Sequence, residues 1–151
     1  MAVIELDYSG RYEPFKQQFL FTNTATLSVG ETAEVYWNGD PSKSWYPTVD
    51  SVYSGQINCL VSVIEPGGGS QLYGAVCVEE NNVIFKHISG VSTIPHNHTY
   101  FKDSDANMNG TWTISVNPLN QGVKIEWTAP SGALNTTFKM QCIALVNSLI
   151  L

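Results

Sequence analysis

Asp103, Asp105, Asn107 and Asn109 alternate along one short polar stretch that closes on Gly110. In an extended loop every second side chain points the same way, so four oxygens can face one hard cation. A weak or structural Ca2+ site is one reading, with Gly110 allowing a tight exit; the other, favoured because only two of the four are carboxylates, is a solvated loop that holds no cofactor. An EF-hand is excluded, because the positions that need glycine and a bidentate glutamate hold Met108 and Ile114.

Other residues invite other chemistry. His96-Asn-His98 puts two imidazoles on one side of an extended segment, a spacing suited to a transition metal. The remaining histidine, His87, stands at no recognisable ligand spacing, so the pair alone leaves a metal incompletely coordinated. Trp45 and Tyr46 are adjacent in Lys43–Asp50, a segment without sheet periodicity. Their rings would stack on a sugar or an apolar partner, which makes them the expected ligand-binding residues. The competing structural role is a loop lid whose Trp45 plugs the end of the core.

Catalytic signatures are missing. There is no GxSxG elbow, P-loop, dinucleotide-binding fingerprint or HExxH helix. Glu79 and Glu80 are sequence neighbours, which point to opposite faces in a strand and make a poor carboxylate pair. Cys59, Cys77 and Cys142 all lie in apolar, strand-like runs without CxxC spacing, so buried free thiols are expected and not a redox or zinc motif. These residues point away from an enzyme.

The elements that must position these groups are strands. Trp112, Ile114 and Val116 alternate with Thr111, Thr113 and Ser115, and Thr32–Trp37, Ile57–Ile64 and Val123–Thr128 show the same period of two. Residues 17–29 read as two short strands broken near Asn23-Thr24. Turns are expected at Gly30, Asn38–Pro41, Glu65–Ser70, Asn117–Gly122 and Ala129–Gly132, with an acidic turn at Glu79–Asn82. Gly90–Pro95 reads as irregular, since proline is kept out of central ladders. The segment from Thr137 to Leu151 turns almost wholly apolar and must be covered by the sheet or by a subunit. No segment carries helical periodicity. Regular strand-turn spacing predicts an all-β protein, a single antiparallel β-sandwich over residues 1–151 with jelly-roll character. Tyr8, Tyr12 and Phe15 make residues 1–16 an aromatic N-terminal arm.

One resemblance supports the sandwich. Leu60-Val-Ser-Val-Ile-Glu-Pro-Gly-Gly-Gly69, Phe101 with its acidic-amide loop, and Asn109-Gly-Thr-Trp-Thr-Ile-Ser-Val116 together resemble the P domain of proprotein convertases, over about residues 57–145. The resemblance implies a jelly-roll β-sandwich without catalysis of its own. The family's support of an attached protease does not carry over, because no protease is present in the chain.

Composition narrows the partners. Of 151 residues, 13% are charged and 43% hydrophobic, so solubility rests on Asn, Thr, Ser and Gly. A net charge of −6 with seven scattered basic residues gives no stripe for phosphates, which argues against nucleic acid and anionic membranes. No run approaches the roughly 18 apolar residues of a membrane span. The start lacks a basic n-region and an apolar h-region, so no signal peptide is expected. The reading is a structural assembly protein, most plausibly a phage or viral capsid decoration or tail-associated subunit. It would sit in the virion, or in the cytoplasm before release, among protein subunits in a homo-oligomer or lattice. The alternative is a carbohydrate-binding, lectin-like module using Trp45, Tyr46 and the Asp103–Asn109 loop.

Overall fold

The computed structural model describes residues 5–6, 12–13, 16–67 and 73–151. Most of the expected aromatic arm lies outside them, as do Gly68, Gly69 and Ser70. Of the arm, β1 (Glu5–Leu6) and β2 (Tyr12–Glu13) are described and pair antiparallel. The remaining strands are β3 (Lys16–Leu27), β4 (Thr32–Trp37), β5 (Ser51–Glu65), β6 (Val76–Ile88), β7 (Val91–Ser104), β8 (Thr111–Val116), β9 (Val123–Thr128) and β10 (Thr136–Ile150).

All-β and antiparallel is what forms, but as one eight-stranded sheet in the order β7-β6-β5-β10-β3-β4-β9-β8. The two separate layers expected of a jelly-roll sandwich are two parts of this sheet, joined where β3 meets β4. Phe21↔Trp37 and Thr22↔Tyr36 pair across that seam, and the Asn38 amide just past β4 donates to the Leu20 carbonyl at 2.8 Å. Beyond it the strands diverge, and the Asn23 side chain bridges them by donating to the Glu34 carbonyl at 2.8 Å. The sheet curls there, and β4, β9 and β8 cover the inner face of the other five strands. Trp127 of β9 packs edge-on against Phe138 of β10 with ring centroids 6.2 Å apart, and both are fully buried. Burying side chains of this size contributes about 1.5–3 kcal/mol each. The expected break at Asn23-Thr24 is therefore not a break: β3 runs through it, paired with β10 from Lys16 to Leu27.

The sheet's two edges, β7 and β8, approach without forming a ladder. Side chains cross the gap instead. At one end the Lys102 ammonium donates to the Gly110 carbonyl at 2.8 Å. At the other, Ser92 donates to the Gln121 side-chain and main-chain oxygens. The result is nearly a barrel.

Two local expectations give way to tertiary pairing. Glu79–Asn82 is no turn but the middle of β6, where Glu79 and Asn81 face the core between β5 and β7. Gly90–Pro95 is not irregular: β7 begins at Val91, after Ser89 and Gly90 turn with positive φ. Pro95 is tolerated because β7 is an edge strand, and the register slips opposite it, between Ile84 and Lys86.

The expected core alternation holds. β10 turns Phe138, Met140, Cys142 and Ala144 inward, and β5 opposes them with Ile57, Cys59, Val61 and Val63. Gly55 continues that row because a Cβ there would collide with the Leu145 carbonyl. No helix among the described residues is long and apolar enough to cross a membrane.

Candidate functional site

One pole of the barrel is built around Trp45. The chain leaves β4 through Asn38 and Gly39, both at positive φ, and Asp40 holds the next turn by accepting from the Ser42 amide and hydroxyl. Those two hydrogen bonds keep the Asp40 carboxyl below its ordinary range. The loop then lays Trp45 into an aromatic cage. Its ring lies 5.0 Å from Tyr53, 5.4 Å from Phe19 and 5.6 Å from Phe85, between centroids. Trp45 is 8% exposed and plugs the end of the core, whereas its neighbour Tyr46 is 52% exposed. The β8–β9 connection clamps the loop from outside. Asn120 donates to the Ser44 hydroxyl, and Gly122 passes so close to the Trp45 carbonyl that no side chain fits.

Under the Trp45 ring lies an apolar cavity of about 40 Å3, walled by Phe21, Ile57, Val83 and Ala144 among others. Such a lining stays dry. Beside the loop an open groove of about 900 Å3 runs past Gln18, Trp37, Asn38, Ser42, Lys43 and Tyr46. Trp45 also borders this groove. Trp37, Gln18 and Asn38 were not singled out by sequence reasoning. Their common feature is proximity to the β3–β4 seam, which a strand pattern does not reveal.

The same pole holds a histidine–serine contact, His87 Nδ1 to Ser92 Oγ at 2.8 Å, with both residues buried. The Ser92 hydroxyl donates its one proton to the Gln121 carbonyl at 2.6 Å. His87 must therefore donate from Nδ1, and its lone pair on that nitrogen is not available to the hydroxyl. The pair ties β6 and β7 to the β8–β9 turn; a nucleophile needs the opposite polarity.

The oxygen-rich loop lies at the other pole, at the far end of the 14-residue β7. Asp103 is still in β7, and its carboxylate accepts from the Ser104 amide. Asp105 exchanges a main-chain bond with Val76 and accepts the Val76 amide on its carboxylate at 2.9 Å, so it caps the start of β6. Asn107 takes positive φ, Met108 is fully buried and Asn109 is exposed. The structure thus brings Trp45 and Tyr46 to one groove and keeps Asp103–Asn109 away from it. A composite sugar site drawing on both is not assembled. Among the described residues, no three His, Cys, Asp or Glu side chains gather as a metal cluster.

One ladder row across four strands carries unusual chemistry. Cys142, Cys59, Glu79 and Lys102 are successive register partners on β10, β5, β6 and β7. Burial pushes the Cys142 thiol well above its ordinary value, and the Cys59 thiol hydrogen-bonded beside it adds to that. Glu79 accepts from the Asn81 amide at 3.1 Å, and Asn81 in turn accepts from Thr99 at 2.6 Å. The three cysteines are free and buried, as their surroundings in the sequence imply.

Neither a protein-family model nor a curated protein sequence matches the chain. Among solved structures it is similar to the tailspike protein of Acinetobacter phage vB_ApiP_P1, with a TM-score of 0.47 and 14% identity. That alignment covers 90% of this chain, which spans 22% of the tailspike's length.

Proposed function

We propose that the chain is a non-catalytic structural subunit, a capsid-decorating or tail-associated component of a phage or viral particle, that assembles through the outer wall formed by β3, β10 and β5. The observation that supports this is the wall's chemistry. Outward positions Gln18–Thr26, Val52–Ile64 and Thr137–Leu149 on these three adjacent strands include one charged side chain, Lys139. Leu20, Leu60 and Leu145 stand exposed among glutamine, asparagine, serine and threonine. Covering such a wall desolvates no ion pair, and depletion of charge at the centre is what distinguishes protein interfaces from ordinary surface. The apolar end of β10, with Leu149, Ile150 and Leu151 exposed, continues the same wall.

A second reading keeps the barrel and uses the Tyr46 groove as a glycan-binding site, with Tyr46 as the stacking ring and Gln18, Asn38 and Ser42 as hydroxyl partners. One experiment separates the two. Light scattering on the full chain is expected to show oligomers, and Leu60→Lys combined with Leu145→Lys is expected to return monomers with an unchanged β spectrum. A concentration-independent monomer that binds a glycan array, and loses that binding on Tyr46→Ala, would overturn assembly in favour of the second reading.

A further inference from the structure

We infer that His96 and His98 form a surface chelate for a divalent first-row transition ion, independently of how the subunit assembles. Both sit on β7, opposite Ile84 and Asn82 of β6, so both point to the outer face. Asn97 between them pairs with Val83, a core residue, which anchors the segment to the ladder and fixes the two Cα positions. The rings are exposed, 6.2 Å apart between centroids and inclined by 36°. No described residue hydrogen-bonds either ring.

Two imidazoles binding one metal at metal–nitrogen distances of 2.0–2.1 Å in tetrahedral arrangement have centroids about 5 Å apart. The observed spacing is wider by about 1 Å, a closure that rotation of two solvent-exposed side chains supplies without moving the backbone. Nitrogen donors select Zn2+, Ni2+ or Cu2+ over Ca2+ and Mg2+, and a net charge of −6 favours cations at the surface. Water fills the other coordination positions. Glu80 lies one outward pair beyond Asn82 and is engaged by Tyr100. His87 faces the core against Ser92. Neither completes the site, which sets it at two protein ligands and predicts modest affinity.

The register supplies a gain-of-binding test as well as a loss. Asn82 is directly opposite His98, so Asn82→His places a third imidazole across the ladder at about 4.5–5.5 Å between Cβ atoms. Calorimetric titration of the full chain with Zn2+ alone and Ni2+ alone is expected to give one site per chain. His96→Ala and His98→Ala should each weaken it at least tenfold, and Asn82→His should tighten it at least tenfold. Ca2+ should not compete. No saturable binding up to about 1 mM metal, single-histidine variants that bind like the parent, or an Asn82→His variant no tighter than the parent while its β spectrum is unchanged would each overturn the site.

Discussion

Cys59 and Cys142 face each other across β5 and β10 with Glu79 next in the row, yet nothing in that arrangement makes a nucleophile. Thiolate reactivity needs a lowered pKa and access, and here burial raises both the Cys142 and the Cys77 thiols. The nearest acidic group, Glu79, would oppose a thiolate further. All three thiols are buried and are therefore expected to stay unlabelled when the folded protein is exposed to a maleimide at neutral pH, and to react together once denaturant is added. Rapid labelling of one thiol in the folded state would show that β10 opens locally. These residues were readable in the sequence, because cysteine inside an apolar alternation is a core position whatever the topology. Trp45 was not so readable. A tryptophan in a loop without periodicity fits a lid and a binding face equally, and only the convergence of Phe19, Tyr53 and Phe85 from three strands makes it a plug.

At the scale of elements, β4 and β9 carry a conflict that their periodicity conceals. Glu34 of β4 is directly opposite Glu126 of β9, with Lys124 reaching Glu126 at 3.8 Å. Desolvation raises the Glu34 carboxyl, Lys124 lowers it and the Glu126 charge raises it again. A carboxyl whose folded pKa exceeds its unfolded value binds its proton more tightly when folded, so ionising it costs stability. That cost is full at neutral pH and disappears as pH falls through the folded pKa. Glu34→Gln is thus expected to raise the melting temperature slightly at pH 7, by an amount equivalent to about 0.2–1 kcal/mol for a like-charge cross-strand pair. The advantage should vanish near pH 4, where the parent's Glu34 is protonated. An equal gain at both pH values would mean that packing, not charge, separates the two side chains. Register decides this, and register is what alternation within a single strand leaves open. The same gap explains Glu79–Asn82: a run of acids and amides reads as a turn until partners on both sides claim it as strand.

For the molecule as a whole, the strand order is the least local property. Alternation identified most of the strands, but β10, the last in sequence, lies between β3 and β5 in space. It pairs with β3 from Thr136 to Asn147 and with β5 from Thr137 to Ile150, whereas β7 and β8 each pair on one side alone. Until β10 docks, β3 and β5 have no common neighbour and the inner face they share cannot close. Opening β10 must therefore break both ladders together, while β7 and β8 have no ladder between them and are tied among the described residues by the Lys102–Gly110 and Ser92–Gln121 hydrogen bonds. Amide exchange reads this directly, since a central strand exchanges through global unfolding and an edge strand through local opening. Amides of β10 paired with β3 and β5 are expected to exchange last, with protection that tracks the global stability as denaturant is added. Those of β7 between Thr93 and Lys102 should exchange orders of magnitude sooner and respond little to denaturant. Should β7 prove as protected as β10, the seam with β8 must be closed in solution, by a true ladder or by a neighbouring subunit lying across it.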